Sequence, residues 1–157
     1  MARFFRRGKT QFVFTQTVGS SGAAPTVGNV TGGTNLSGSI NDVSGFTFAN
    51  NPIDTPDMAT PFTTKIPGSD QADASVLTMY RDSVTNPLDT TLAKDTLGYV
   101  IIGDYKILGT WATGDRVDVW PVQVASNAKQ YSVGDDPALA QVTFTSTAPP
   151  VVNVTLQ

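Results

Sequence analysis

The 157-residue sequence contains no cysteine, no histidine and no glutamate. Without the first two, disulfide frameworks, thiolate or imidazole metal sites, Cys/His pairs and every histidine-based triad are excluded. No apolar run approaches the roughly 18 residues that a membrane-spanning helix requires. Charge is scarce as well: 15% of the residues are charged, against roughly 25% in an average domain. A surface rich in neutral Thr, Ser, Asn and Gly needs little charge stripped of water when another surface approaches. Residues 8–11 are polar where a signal peptide would carry its apolar stretch, so no cleaved export signal is expected. The length is that of one domain, expected over residues 1–157.

What charge there is lies unevenly. Arg3, Arg6, Arg7 and Lys9 place four of the ten basic residues in the first nine positions. Residues 10–157 then hold six basic against thirteen acidic side chains, a formal −7. All thirteen acids are Asp, a turn and cap former that disfavours helix and strand interiors. An acidic body repels nucleic acid and argues against phosphate binding. The basic head also carries Phe4 and Phe5, and two aromatic rings do not suit a permanently solvated tail. It is expected to dock on an acidic neighbour.

Residues 9–18 alternate with period two, Phe12 and Phe14 on one face, and predict a strand. Residues 19–39 are rich in Gly, Ser, Thr and Ala and predict a long loop without helix or strand. Residues 39–50 resume as strand, with Phe46 and Phe48 on one face. Between residues 51 and 68, Pro52, Pro56, Pro61 and Pro67 forbid helix and central strand, which predicts an extended loop. That loop carries Ile53, Met58, Phe62 and Ile66, which a solvated loop has no reason to display. Because prolines restrict the free chain, ordering such a loop against a partner costs less than ordering a Gly-rich one.

Residues 73–82 read as strand. Asn86-Pro87 supplies a cap and a first-turn proline for one short helix over residues 87–94, with Leu88 and Leu92 on one face. Residues 99–105 read as a central strand and residues 115–133 as the longest strand. There the valine phase changes at Trp120-Pro121, which predicts a β-bulge. Residues 137–147 and 151–156 complete a mostly β chain, of sandwich or barrel type, with one short flanking α-helix and no internal repeat.

Three carboxylate pairs, Asp54 with Asp57, Asp70 with Asp73 and Asp135 with Asp136, lack the spacing of a catalytic pair or a calcium loop and read as turns. No nucleophile elbow, P-loop or dinucleotide fingerprint is present, so no enzyme, no cofactor and no metal are expected. Three matches to the glycosylation sequon carry nothing without a secretory context.

Three blocks resemble a known family: residues 1–14 (MARFFRRGKTQFVF), residues 42–68 (DVSGFTFANNPIDTPDMATPFTTKIPG) and residues 119–144 (VWPVQVASNAKQYSVGDDPALAQVTF). They are similar to the major tail, or tail tube, proteins of long-tailed bacteriophages with flexible non-contractile tails, particularly those of actinobacterial hosts. The resemblance implies a β-barrel or sandwich with a flanking helix, a long inter-strand loop and an N-terminal arm. It also implies hexameric rings that stack into a tube within the virion, made in the host cytoplasm. Through an acidic lumen DNA would pass without specific binding, screened over a Debye length of roughly 10 Å. Tape measure, tail tip and terminator proteins are the implied partners, with no membrane. The subunit and inter-ring contacts would be Arg3, Phe4, Phe5, Arg6 and Arg7 of the arm, and Pro52, Ile53, Met58, Phe62 and Ile66 of the loop. Two alternatives remain: a β-sandwich binding module, such as a capsid decoration protein or carbohydrate-binding adhesin, with Trp111, Trp120 and the tyrosines as a sugar platform; and an Asp-based hydrolase.

Overall fold

The computed structural model describes residues 5–18, 24–83, 87–106 and 109–157. Arg3 and Phe4, residues 19–23 of the Gly-rich stretch and the expected cap Asn86 lie outside the described residues. In chain order the strands are β1 (Gln11–Thr15), β2 (Thr34–Asn35), β3 (Ile40–Ser44), β4 (Phe48–Asn50), β5 (Ile53–Thr55), β6 (Thr64–Ile66), β7 (Asp70–Ala72), β8 (Ser75–Tyr80), β9 (Leu97–Gly103), β10 (Arg116–Gln130), β11 (Leu139–Ser146) and β12 (Val151–Thr155). Among the described residues two helices interrupt them, α1 (Val27–Thr31) and α2 (Pro87–Thr91).

The main sheet is antiparallel in the order β2-β1-β9-β10-β11-β8-β3, with β12 added on β10. Its two ends are one continuous stretch of chain. Thr34 and Asn35 pair with β1, and Ile40 to Ser44 pair with β8 a few residues later. Between them Leu36 donates its N–H to Phe12, and Ser39 accepts from Tyr80. The sheet is thereby curled on itself, which leaves fewer unpaired edges than an open sheet.

Curling creates two apolar clusters. One fills the inside with Phe14, Leu36, Leu77, Met79, Val100, Trp120, Val122, Val124, Val142 and Phe144, together with Leu88 and Leu92. The other lies on the far face of β1, β9 and β10, where α1, β12 and Trp111 cover Val13, Ile101, Val117 and Val119. β9 is therefore buried on both faces, as its apolar run predicts. Each fully buried aliphatic or aromatic side chain contributes about 1.5–3 kcal/mol relative to exposure.

The expected bulge at Trp120-Pro121 is not there. β10 runs past β9 in unbroken register from Asp118 to Gln123. Odd-numbered Val117 and Val119 face the second cluster, whereas even-numbered Trp120, Val122 and Val124 face the first. The valines change phase because the buried face changes, with no residue left out. Pro121 falls where β12, whose last partner is Val119, gives way to β11, whose first partner is Val122. The register shifts in β10 lie elsewhere, at 117–119 against β12 and at 124–126 against β11.

Three other expectations are corrected. Residues 19–39 hold a helix and a strand: α1 is five residues long, capped reciprocally by Thr26 and Asn29, and fixed by buried Val30. Its glycines and brevity hide it from periodicity. The strand expected over residues 39–50 is cut at Gly45 and Phe46, both at positive φ, 85° and 55°. The helix expected over residues 87–94 stops at Thr91, although Leu88 and Leu92 are both buried as foreseen. Asn127 donates to the carbonyls of Leu88 and Leu92 and holds its C-terminal turn.

Candidate assembly surface

Residues 48–72 form a projecting arm. β4 pairs with β7, Phe48 opposite Ala72 and Asn50 opposite Asp70. Further out β5 pairs with β6, Ile53 opposite Ile66 and Thr55 opposite Thr64. The extended loop expected over residues 51–68 is thus an antiparallel ribbon, and its prolines show why the ladder tolerates them. Pro52 and Pro67 lie in the break between the two ladders, and Pro56 and Pro61 lie beyond the last pair, so none occupies a paired position. At the break Asn50 accepts from the Gly68 N–H and donates to its carbonyl, while Asn51 bonds Ser69 and Gln71. A Cβ on Gly68 would lie 2.0 Å from the Asn51 oxygen, so only glycine fits.

Directly opposed residues share a face of an antiparallel ribbon. One face of the outer ladder therefore carries Ile53, Ile66 and the hydrogen-bonded Thr55–Thr64 pair, and the other the Asp54–Lys65 ion pair at 2.9 Å. At the tip Asp57 accepts the N–H groups of Ala59 and Thr60. Those backbone bonds hold its carboxyl below the usual carboxylate range. The tip is shaped, yet its apolar side chains touch little: Met58 is fully exposed and Phe62 73% exposed, with Ile53 and Ile66 about half exposed.

The arm is pinned at its root. The buried Ser75 hydroxyl accepts the Phe46 N–H at 2.8 Å, and Gly45 approaches so closely that a Cβ would lie 2.7 Å from Ser75 Cα. Phe46 then meets Trp120 edge-on at 5.6 Å and packs against Phe12 and Phe144, and Phe48 lies 6.4 Å from Trp120. These ring contacts hold an aromatic residue in a left-handed conformation that costs about 1–2 kcal/mol.

The described part of the basic head folds back on its own body. Arg6 pairs with Asp104 at 3.2 Å, Lys9 lies over the rings of Phe5 and Tyr105, and Lys106 donates its N–H to the Lys9 carbonyl. Phe5 is nevertheless 71% exposed. The head and the arm root come together along β3, where Arg6, Arg7, Phe12, Val43 and Gly45 line one groove.

The remaining candidates do not converge. The sugar platform of the alternative reading is not assembled: Trp120 belongs to the interior cluster and Trp111 packs on the opposite face of the sheet, its ring against Gly103. Of the carboxylate pairs, Asp57 serves the arm's tip turn, Asp54 pairs with Lys65 and Asp70 accepts from Asn50. Among the described residues no cluster of acidic side chains could hold a metal ion. Sequence reasoning gave Tyr131 a place only among the tyrosines of the sugar platform and passed over Val133; both are exposed in the turn between β10 and β11. The strand expected over residues 115–133 ends at Gln130, and the Gly134-Asp135-Asp136-Pro137 run was the available turn signal.

The apolar ribbon held away from its own core is surface that another chain can cover. The family model described as phage tail tube protein matches residues 1–157, and the chain belongs to that family. No curated protein matches the sequence. Solved structures match the fold throughout. The sheath/tube terminator of an extracellular contractile injection system, PVC, superposes with a TM-score of 0.66 over 96% of each chain at 13% identity. The sheath–tube complex of PVC gives 0.64 over 94% of this chain and 89% of that one, also at 13% identity. The tube-terminating cap of the anti-feeding prophage gives 0.62 over 93% and 89%, at 14% identity. By family the protein is a structural component of the virion, a tail tube protein and not an enzyme.

Proposed function

We propose that copies of this chain associate into rings, six to a ring, and that the rings stack into the tube of a flexible, non-contractile tail through which DNA passes to the host. In this reading the chain is made in the host cytoplasm, the lumen binds no DNA sequence specifically, and tape measure, tip and terminator proteins join the tube at its ends. The arm, through Pro52, Ile53, Met58, Phe62 and Ile66, and the head, through residues 3–7, supply the contacts between rings.

One observation carries the proposal: four large apolar side chains stand exposed on a ribbon whose backbone is ordered by Asn50, Asn51, Asp57 and Gly68. Such a ribbon gives up little further chain entropy on docking. The solved tube and terminator neighbours support the reading at the level of fold. Its test is negative-stain microscopy of concentrated wild-type protein beside Phe62→Asp. Tubes or rings are expected from the first and their loss from the second, with equal melting temperatures. A wild type that stays monomeric even with its tail-initiating partners would refute the proposal, as would Phe62→Asp tubes of normal length.

A further inference from the structure

The arm leaves the main sheet at one end of the three-strand set β11-β8-β3, beside Ser44 and Ser75, which are followed or preceded by its root. The opposite end of the same strands carries Ile40, Tyr80 and Leu139, with Leu139 directly paired to Tyr80. There the turn between β10 and β11 projects, and a cleft of about 500 Å³ opens between Tyr80, Tyr131, Pro137 and Leu139. Asn41, Gln130, Ser132 and Asp136 complete its lining, so the tyrosines, Pro137 and Leu139 form an apolar part of a mixed wall. Tyr131 is 88% exposed and Tyr80 about 40%, and Val133, fully exposed, follows two residues on in the same turn. The Tyr80 hydroxyl donates to Asn41 Oδ1 at 2.7 Å, which fixes the ring as one wall.

We infer that this cleft is the receptor for the arm of another copy: the Met58–Phe62 tip of one chain seats between Tyr80 and Tyr131 of the next. This rests on the ring-stacking reading above and names the surface it needs. An apolar projection at one end of these antiparallel strands and a tyrosine-walled cleft at the other meet when a second copy is translated along the strand direction. That contact is heterologous and open-ended, the kind that continues into a filament. Area favours a second copy of this size of surface over a small ligand. Covering the exposed Ile53, Met58, Phe62 and Ile66 removes on the order of 500 Å² from the arm, and a two-sided contact buries about as much of the partner surface. A total of about 1,000 Å² stands at the lower margin of a specific interface. One arm in one cleft is then marginal, and several side by side in a ring are sufficient.

The absence of cysteine makes the contact directly testable. Met58→Cys and Val133→Cys are introduced together into the full chain, and separately as controls, and assembled material is oxidised mildly. A disulfide requires Cβ atoms about 4 Å apart, so a ladder of covalent multimers from the double variant, absent from either single one, is the expected result. Tubes of the double variant without a ladder would overturn the cleft while leaving stacking intact. A wild type that forms no tubes would instead defeat the stacking reading itself, and the cleft with it. A second measurement does not depend on disulfide geometry. Val133→Asp is expected to raise the concentration needed for assembly at least tenfold without changing the melting temperature. Combined with Phe62→Asp it should do no further harm, because both remove the same contact. Normal assembly of Val133→Asp, or full additivity of the two, would show that the turn and the arm do not meet.

Discussion

Single residues decide where this chain bends and where it does not. Gly45 sits at φ 85° with no room for a Cβ beside Ser75, so Gly45→Ala meets both a left-handed penalty and a backbone clash. The expected loss is about 2 kcal/mol or more, read as a lowered urea midpoint. Gly68→Ala, by contrast, disrupts only the arm. Titration is equally local. Arg81 holds Asp89 by a two-pronged hydrogen-bonded pair, and for Asp115 the bonds from Lys106 and the Ala112 N–H outweigh the opposing cost of burial; both carboxyls lie below their ordinary value. A carboxyl depressed by folding adds stability that is fully present above its unfolded value near 3.8 and is lost as pH falls through the folded value. With no histidine in the chain, stability should be flat between about pH 5.5 and 7, then fall below about pH 4. Asp89→Asn should weaken the acid-side fall, as urea melts across pH would record.

At the scale of elements, the arm and its root belong to different energetic accounts. The root packs on the core: partly buried Phe46 contacts Trp120, Phe12 and Phe144, and Phe46→Ala should lower stability by about 2 kcal/mol. The tip is surface, and Phe62→Asp should leave unfolding unchanged while removing tube growth. Finding that Phe62→Asp melts far below wild type would mean that the tip packs on its own molecule. The strands were legible wherever one face was buried, as in β8, where Leu77 and Met79 alternate with Val76 and Thr78. β10 misled because it is covered on one face at its start and on the other further along, which looks like a slipped register. α1 was invisible because two reciprocal cap bonds and one valine hold it, and neither leaves a periodic trace.

For the whole molecule, closure of the sheet makes distant segments depend on one another. β1 pairs with β9, and β12 with β10, so both the early and the late chain enter the same ladder. Leu156 is buried in the second cluster, and the Gln157 carbonyl accepts the Val27 N–H. Deleting residues 151–157 should therefore prevent folding, since the loss rivals the 5–15 kcal/mol that holds an ordinary domain together. Among the described residues, deleting 1–8 removes an exposed ion pair, a cation–ring contact and the turn bonds from Lys9 and Thr10 to the Arg6 carbonyl, which together are worth little to the core. Circular dichroism should find that truncated chain folded, while tube formation is weakened. An unfolded product would place the head in the core.

The amino-acid sequence alone determined the β class, the places where strands run, the absence of histidine and thiol chemistry, and the greasy proline-bearing stretch that had to go somewhere. Those follow from local rules: period-two alternation, the missing proline N–H and side-chain chemistry act within a few residues of one another. Only the tertiary structure decided that the stretch is a ribbon and not a loop, that Trp120 is interior, and that arm and cleft stand at opposite ends of the same strands. These depend on which distant segments pair, and pairing is set by the curling of the whole sheet around its inner core with the second cluster on its outer face, which no window of the chain contains.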